Sequence, residues 1–176
     1  MNLLRKYIRG HLITEKIYKP VYRATNAPGV KTGKYGASIL YWADDPRPAD
    51  FGKHITKAKI RLKDPYMGMS IETYNVVALL RDDEIIKILK DIDYEYDSDM
   101  YDDYDPSEQL MAVLEDQHHD GIWQRAALIN AIKDAGYDGI ISTDPHGGKT
   151  EYVTFSPKQY RVLDSWVDEE RTGERK

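Results

Sequence analysis

The sequence predicts a mixed α+β domain, on three observations. β-branched and aromatic segments gather towards both ends of the chain, apolar residues at helical spacing fill the middle, and the resulting order of strands, helices and strands lacks the regular alternation of a doubly wound sheet. The chain has 176 residues. That length predicts a single domain, 1–176, with a helical and acidic insertion at about 70–120.

The elements follow in order. "LLRKYI" puts Leu3, Leu4, Tyr7 and Ile8 on one helical face with Arg and Lys opposite. This reads as a packed N-terminal helix, with a basic surface for membrane or nucleic acid as the lesser reading. "KIYKPVYRATN" reads as a strand entered through Pro20, and "APGVKTGKYG" as a glycine-rich loop. "ASILYWADDP" reads as a strand stopped by an Asp-Asp-Pro turn. "RPADFGKHI" begins as a short helix. "KAKIRLKDP" alternates Ala58, Ile60 and Leu62 with Lys and Arg, the pattern of a strand with one wet face. "SIETYNVVALLRDDEIIKILKDI" reads as one broken helix or two. "PSEQLMAVLED" starts a helix at Pro-Ser, and "GIWQRAALINAIKDAG" is a helix that ends at Gly136. "YDGIISTD" is a short apolar strand, "DPHGGK" a loop, and "TEYVTF" a strand. "SPKQ" turns the chain, and "YRVLD" resumes an apolar alternation.

Composition narrows the chemistry. The chain has no cysteine, which excludes disulfides and thiolate metal sites and fits a cytoplasmic setting. No apolar run approaches the ~20 residues of a membrane helix, and the N-terminus lacks the apolar centre of a signal peptide. A membrane is therefore not expected as a partner, nor is nucleic acid. The net charge is −5, yet "DIDYEYDSDMYDDYDPSE" at 91–108 holds nine acids and no base, so the rest of the chain sums to +4. This tyrosine-bearing segment is either a solvated insertion or a docking surface for a basic partner.

Three motif-like stretches do not carry their chemistry. "GGKT" lacks the upstream glycine of a phosphate-binding loop, since position 143 is Thr, and a strand follows it. Asp97, Asp99 and Glu108 have calcium-loop spacing, but Asp102 stands where the turn requires Gly. His118 and His119 are adjacent, point apart on a helix and have no thiolate partner. No metal is expected.

Glu151 opens the strand "TEYVTF", straight after a glycine loop. It is either a solvated strand end or a catalytic acid held by a rigid sheet. "VYRAT" (21–25), "ILYWADDP" (39–46) and "TEYVTF" (150–155) together resemble, in order and spacing, the three motifs of the ADP-ribosyltransferases of the diphtheria-toxin and poly(ADP-ribose) polymerase type. "GYDGIIS" and "IRLKDP" look like the small ADP-ribosyltransferase domains of phage polyvalent proteins and of some anti-CRISPR proteins. The resemblance covers roughly residues 20–164, without the helical and acidic middle. It implies two small packed β-sheets around an NAD cleft, with helices around them.

The resemblance also implies roles. Enzymes of this kind break the bond between nicotinamide and ribose through an oxocarbenium-like state, as in glycoside cleavage. Glu151 matches the carboxylate that stabilises the developing positive charge and holds the ribose 2′-hydroxyl. Tyr41 matches the tyrosine that stacks on nicotinamide; by its residues alone it reads as an ordinary half-buried strand tyrosine. Trp42 alternates to the other face and belongs to the core. Arg23 stands where the polymerase-like enzymes carry His, and is carried over as NAD-binding, against a plain solvent-facing arginine. Thr25 matches a small hydroxyl residue near the ligand. Lys149 departs from the Glu or Gln of arginine-modifying families, which argues against an arginine acceptor. The implied function is mono-ADP-ribosyl transfer from NAD to a protein acceptor, as a phage or mobile-element effector. The alternatives are an NAD glycohydrolase at the same site, or an inactive binding or inhibitor module that uses the acidic segment.

Overall fold

The computed structural model of the chain describes residues 16–17, 20–26, 39–45, 52–92, 105–116, 122–143 and 150–169. The expected N-terminal helix, the loop at 27–36, the helix start at 47–51, His118, His119, Lys149 and most of the acidic segment lie outside the described residues.

Five strands come first: β1 (Lys16–Ile17), β2 (Val21–Thr25), β3 (Leu40–Ala43), β4 (His54–Leu62) and β5 (Pro65–Tyr66). Three helices follow: α1 (Ser70–Val77), α2 (Asp82–Asp91) and α3 (Pro106–Asp116). A 3-10 turn at Ile122–Gln124 leads into α4 (Ala126–Asp134), then β6 (Gly139–Thr143) and β7 (Thr150–Thr154). A second 3-10 turn at Pro157–Gln159 leads into β8 (Tyr160–Val167). The chain is α+β, as the sequence predicts.

Local chemistry explains several boundaries. The long helical pattern is two helices, α1 and α2. The second starts in an acidic turn, where the Glu84 carboxylate accepts from the Arg81 N–H at 3.1 Å. The helix α4 stops where Gly136 takes φ +96°, a conformation that glycine adopts at no steric cost. In the turn after β7, the Gln159 side-chain carbonyl accepts from the N–H groups of Phe155 and Ser156 at 2.8 and 2.9 Å.

The strands form one hydrogen-bonded path, β1-β4-β2-β3-β7-β6-β5, with β8 also on β4. All pairings are antiparallel except β5 with β6. This corrects the expected pair of separate sheets. The reason is β2, which pairs with β4 from Val21 to Thr25 and also meets β3 through Tyr22↔Ala43. That single pair joins two halves, β8-β4-β2 and β3-β7-β6-β5.

The sheet is rolled. Trp42 on β3 and Tyr160 on β8 lie three strand steps apart, about 14 Å in a flat sheet. Their ring centroids are 5.2 Å apart. The β4 end also returns to β6: the Asp138 carboxylate accepts from the N–H groups of Lys63 and Asp64 at 2.7 and 2.9 Å. Gly139 permits this closeness, because a Cβ there would stand 2.6 Å from Leu62 Cδ2 and 2.7 Å from the Val153 carbonyl oxygen.

Two cores result. Inside the roll, Val21, Leu40, Trp42, Ala58, Ile60 and Leu62 pack together. Ala58, Ile60 and Leu62 are buried while Lys59 and Arg61 are exposed, the alternation expected of β4. On the outer face of β3, β7 and β6, helical residues such as Val76, Leu89, Leu114 and Leu128 cover Val153 and Ile140. Trp42 is a core residue, as expected, and its indole N–H donates to the Thr154 hydroxyl at 3.2 Å. The apolar residues of β8 behave differently: residues 161–167 are exposed on both faces.

Candidate functional site

Side chains directly opposite each other in an antiparallel pair share a face of the sheet, and neighbours along a strand alternate. Ala43 on β3 pairs with Tyr22 on β2 and with Glu151 on β7. Tyr22 also pairs with Lys57, and Glu151 with Ser142. Lys57, Tyr22, Ala43, Glu151 and Ser142 therefore stand in one row on the outer face. Ala43 supplies a low floor between an aromatic ring and a carboxylate.

Glu151 is exposed at the mouth of β7, a strand held on both sides. The mouth is fixed by the Asp44 N–H donating to the Thr150 carbonyl and the Thr150 N–H donating to the Asp44 carboxylate, each at 3.2 Å. Tyr41 pairs with Val153, two residues along from Glu151, so it shares the face of Glu151 as a diagonal neighbour within reach of long side chains. It is half-buried, and its hydroxyl donates to the Trp123 carbonyl at 2.6 Å. That bond fixes the ring against the helical layer.

Arg23 and Thr25 lie on the other face. Tyr22 is across from Ala43, so Arg23 and Thr25 point into the roll, on the side of Val21 and Trp42. The Arg23 Nη1 donates to the Tyr41 carbonyl at 3.3 Å, and its Nε is buried without a hydrogen-bond partner. Burial lowers the pKa of the guanidinium, against the raising influence of Tyr160 and Tyr41. The Thr25 hydroxyl is 3.5 Å from the His54 carbonyl.

The structure thus brings Tyr41 and Glu151 together and separates them from Arg23 and Thr25. The β2 residues that share their face are Tyr22 and Ala24, and Tyr22, which sequence reasoning passed over, is the one opposite Ala43. Its ring lies edge-on to Trp166, with centroids 6.3 Å apart, and the Lys57 Nζ is 6.0 Å from its centroid. Strand parity finds it only once Ala43 is set opposite both Glu151 and Tyr22, a register that the sequence alone does not supply. Among the described residues no group of His, Cys, Asp and Glu could hold a metal. Among them, too, no helix is long and apolar enough to cross a membrane.

No protein-family model and no curated protein matches the chain. A solved structure, the crystal structure of an anti-CRISPR protein, is similar with a TM-score of 0.42 and 12% sequence identity, over 82% of this chain and 95% of that one. None of these comparisons names an ADP-ribosyltransferase.

Proposed function

We propose that the chain is an NAD-consuming ADP-ribosyltransferase of the mono-transferring kind, acting on a macromolecular acceptor, with Glu151 as its carboxylate. The observation that carries this reading is the row Tyr22–Ala43–Glu151, with Tyr41 diagonal to it. A planar nicotinamide fits over a small residue between aromatic rings, and an exposed carboxylate beside it meets the ribose. The bond from ribose C1′ to the nicotinamide nitrogen breaks, and nicotinamide leaves with the electron pair. The Glu151 carboxylate stabilises the cationic ribose until an acceptor nucleophile bonds to C1′ and releases its proton. With water as that nucleophile, the same site is an NAD glycohydrolase. Arg23 touches this ligand only if NAD also reaches the inside of the roll.

The placement of Arg23 and Thr25 favours a second reading, a binding or inhibitor module that keeps the fold without the full NAD grip. Its partner would be basic and would meet the acidic segment 91–108.

Nicotinamide release from NAD, with and without cell lysate as a source of acceptor, tests the first reading. Release by the wild type that falls about a hundredfold or more in Glu151→Gln supports it. Equal release by the two proteins removes Glu151 from the chemistry. No release, together with no heat of NAD binding by calorimetry, leaves the second reading.

A further inference from the structure

β8 is a sheet margin with apolar side chains on it. It pairs with β4 from His54 to Ile60, and among the described residues no strand lies along its other edge. Val162, Leu163, Trp166 and Val167 are 44, 40, 38 and 41% exposed. Such an edge recruits another strand unless charge or a bulge blunts it.

β8 has both a charge pair and a bulge, and their arrangement is specific. Ala58 pairs with Val162 and Lys57 with Asp164, so Leu163 is an extra residue. Arg161 pairs with Lys59. Lys57 and Lys59 are two apart on β4 and share a face, so Arg161 and Asp164 share that face too. In a regular strand, residues three apart point to opposite faces. The bulge therefore sets one positive and one negative side chain on the same face, symmetrically about the bond between Val162 and Leu163. Within its own sheet, Arg161 has the like-charged Lys59 directly across from it.

We propose that β8 is the interface of a two-fold homodimer, paired antiparallel with β8 of a second copy so that the sheet runs through both chains. A two-fold axis perpendicular to the sheet, between Val162 and Leu163, preserves the faces. It sets Arg161 opposite Asp164 of the second copy, Asp164 opposite its Arg161, and Val162 opposite its Leu163. An unrelated strand leaves Arg161 and Asp164 without opposite charges across the seam, whereas this one pairs both. Each contact occurs twice because the interface is isologous.

Sedimentation equilibrium of the wild type, Arg161→Asp, Asp164→Arg and the double swap tests the register. The wild type dimerises with rising concentration. Each single variant places like charges opposite each other twice and weakens the dimer about tenfold or more. The swap restores it. A wild type that stays monomeric, single variants that dimerise as the wild type does, or a swap as weak as the singles would each overturn the proposal. Should a variant fail to fold, hydrogen exchange of the wild-type β8 amides decides: protection grows with concentration in a dimer, and protection that does not grow overturns it.

Discussion

Arg23 donates to the carbonyl of Tyr41 at 3.3 Å, yet the two side chains leave the sheet on opposite faces. The bond crosses the line where, among the described residues, β2 and β3 share the single pair Tyr22↔Ala43. Arg23 thus supplies a side-chain bond where the ladder has few. Arg23→Ala gives up about 1–2 kcal/mol through the lost bond and the lost packing of the aliphatic stem. It regains part of that by removing a buried charge and its unpartnered Nε, so the net loss of stability is expected to fall below that sum. Thermal melts check this. If Tyr41 and Glu151 alone hold the ligand, NAD binding by calorimetry stays at the wild-type value.

Tyr41→Phe separates the ring from its anchor. The hydroxyl bond to the Trp123 carbonyl is lost, at about 1 kcal/mol of stability, while the aromatic face remains. Nicotinamide release is expected to persist in Tyr41→Phe and to collapse in Tyr41→Ala. Parallel melts and release assays distinguish the two effects.

Gly52 is expected to resist substitution. It sits at φ +70°, and a Cβ there would stand 2.1 Å from the Thr25 carbonyl carbon and 2.2 Å from its oxygen. Gly52→Ala must displace the end of β2, at a cost of about 2 kcal/mol or more. Urea denaturation measures the loss, and an unchanged midpoint would refute the contact.

Alkaline pH is expected to unfold the chain through Tyr66. Its ring is buried between Trp123 and Tyr137, and its hydroxyl is 2.8 Å from that of Thr73. Burial pushes its pKa well above 10.0, against a lowering by the Thr73 bond. Unfolded Tyr66 loses its proton near the ordinary value while folded Tyr66 keeps it. Above about pH 10 the unfolded state then binds fewer protons, so stability falls as pH rises. Tyr66→Phe should flatten that fall, while costing about 1 kcal/mol at neutral pH because Thr73 loses its partner. Melts from about pH 8 to about pH 11 compare the slopes.

Local patterns in the sequence were the legible ones. The alternation of Ala58, Ile60 and Leu62, the burial of Trp42 and the helix stop at Gly136 each depend on a few adjacent residues. The face on which Arg23 lies was not legible, because parity within "VYRAT" has no meaning until Tyr22 is set opposite Ala43. The exposure of Val162 and Trp166 was hidden for a similar reason. An apolar alternation predicts burial only where another layer covers the strand, and edge position is decided by the order of all the other strands. Of the candidate site, Glu151 at a strand mouth and Tyr41 within a strand were legible; that they share a face with Tyr22 and not with Arg23 was not, because it depends on the register of β3 against β7 and β2.

The sheet has a built-in line of mechanical weakness. Among the described residues, β2 is tied to β4 by five residue pairs and β3 to β7 by four, but β2 to β3 by one. Tension applied across the strands concentrates at that rung, and Ala43, the floor between Tyr22 and Glu151, is one of its two residues. The span from the Tyr22 ring to the Glu151 carboxylate thus crosses the most thinly paired step of its row, and the Arg23 bond to Tyr41 and the Asp138 bonds to Lys63 and Asp64 are what brace the two halves across it.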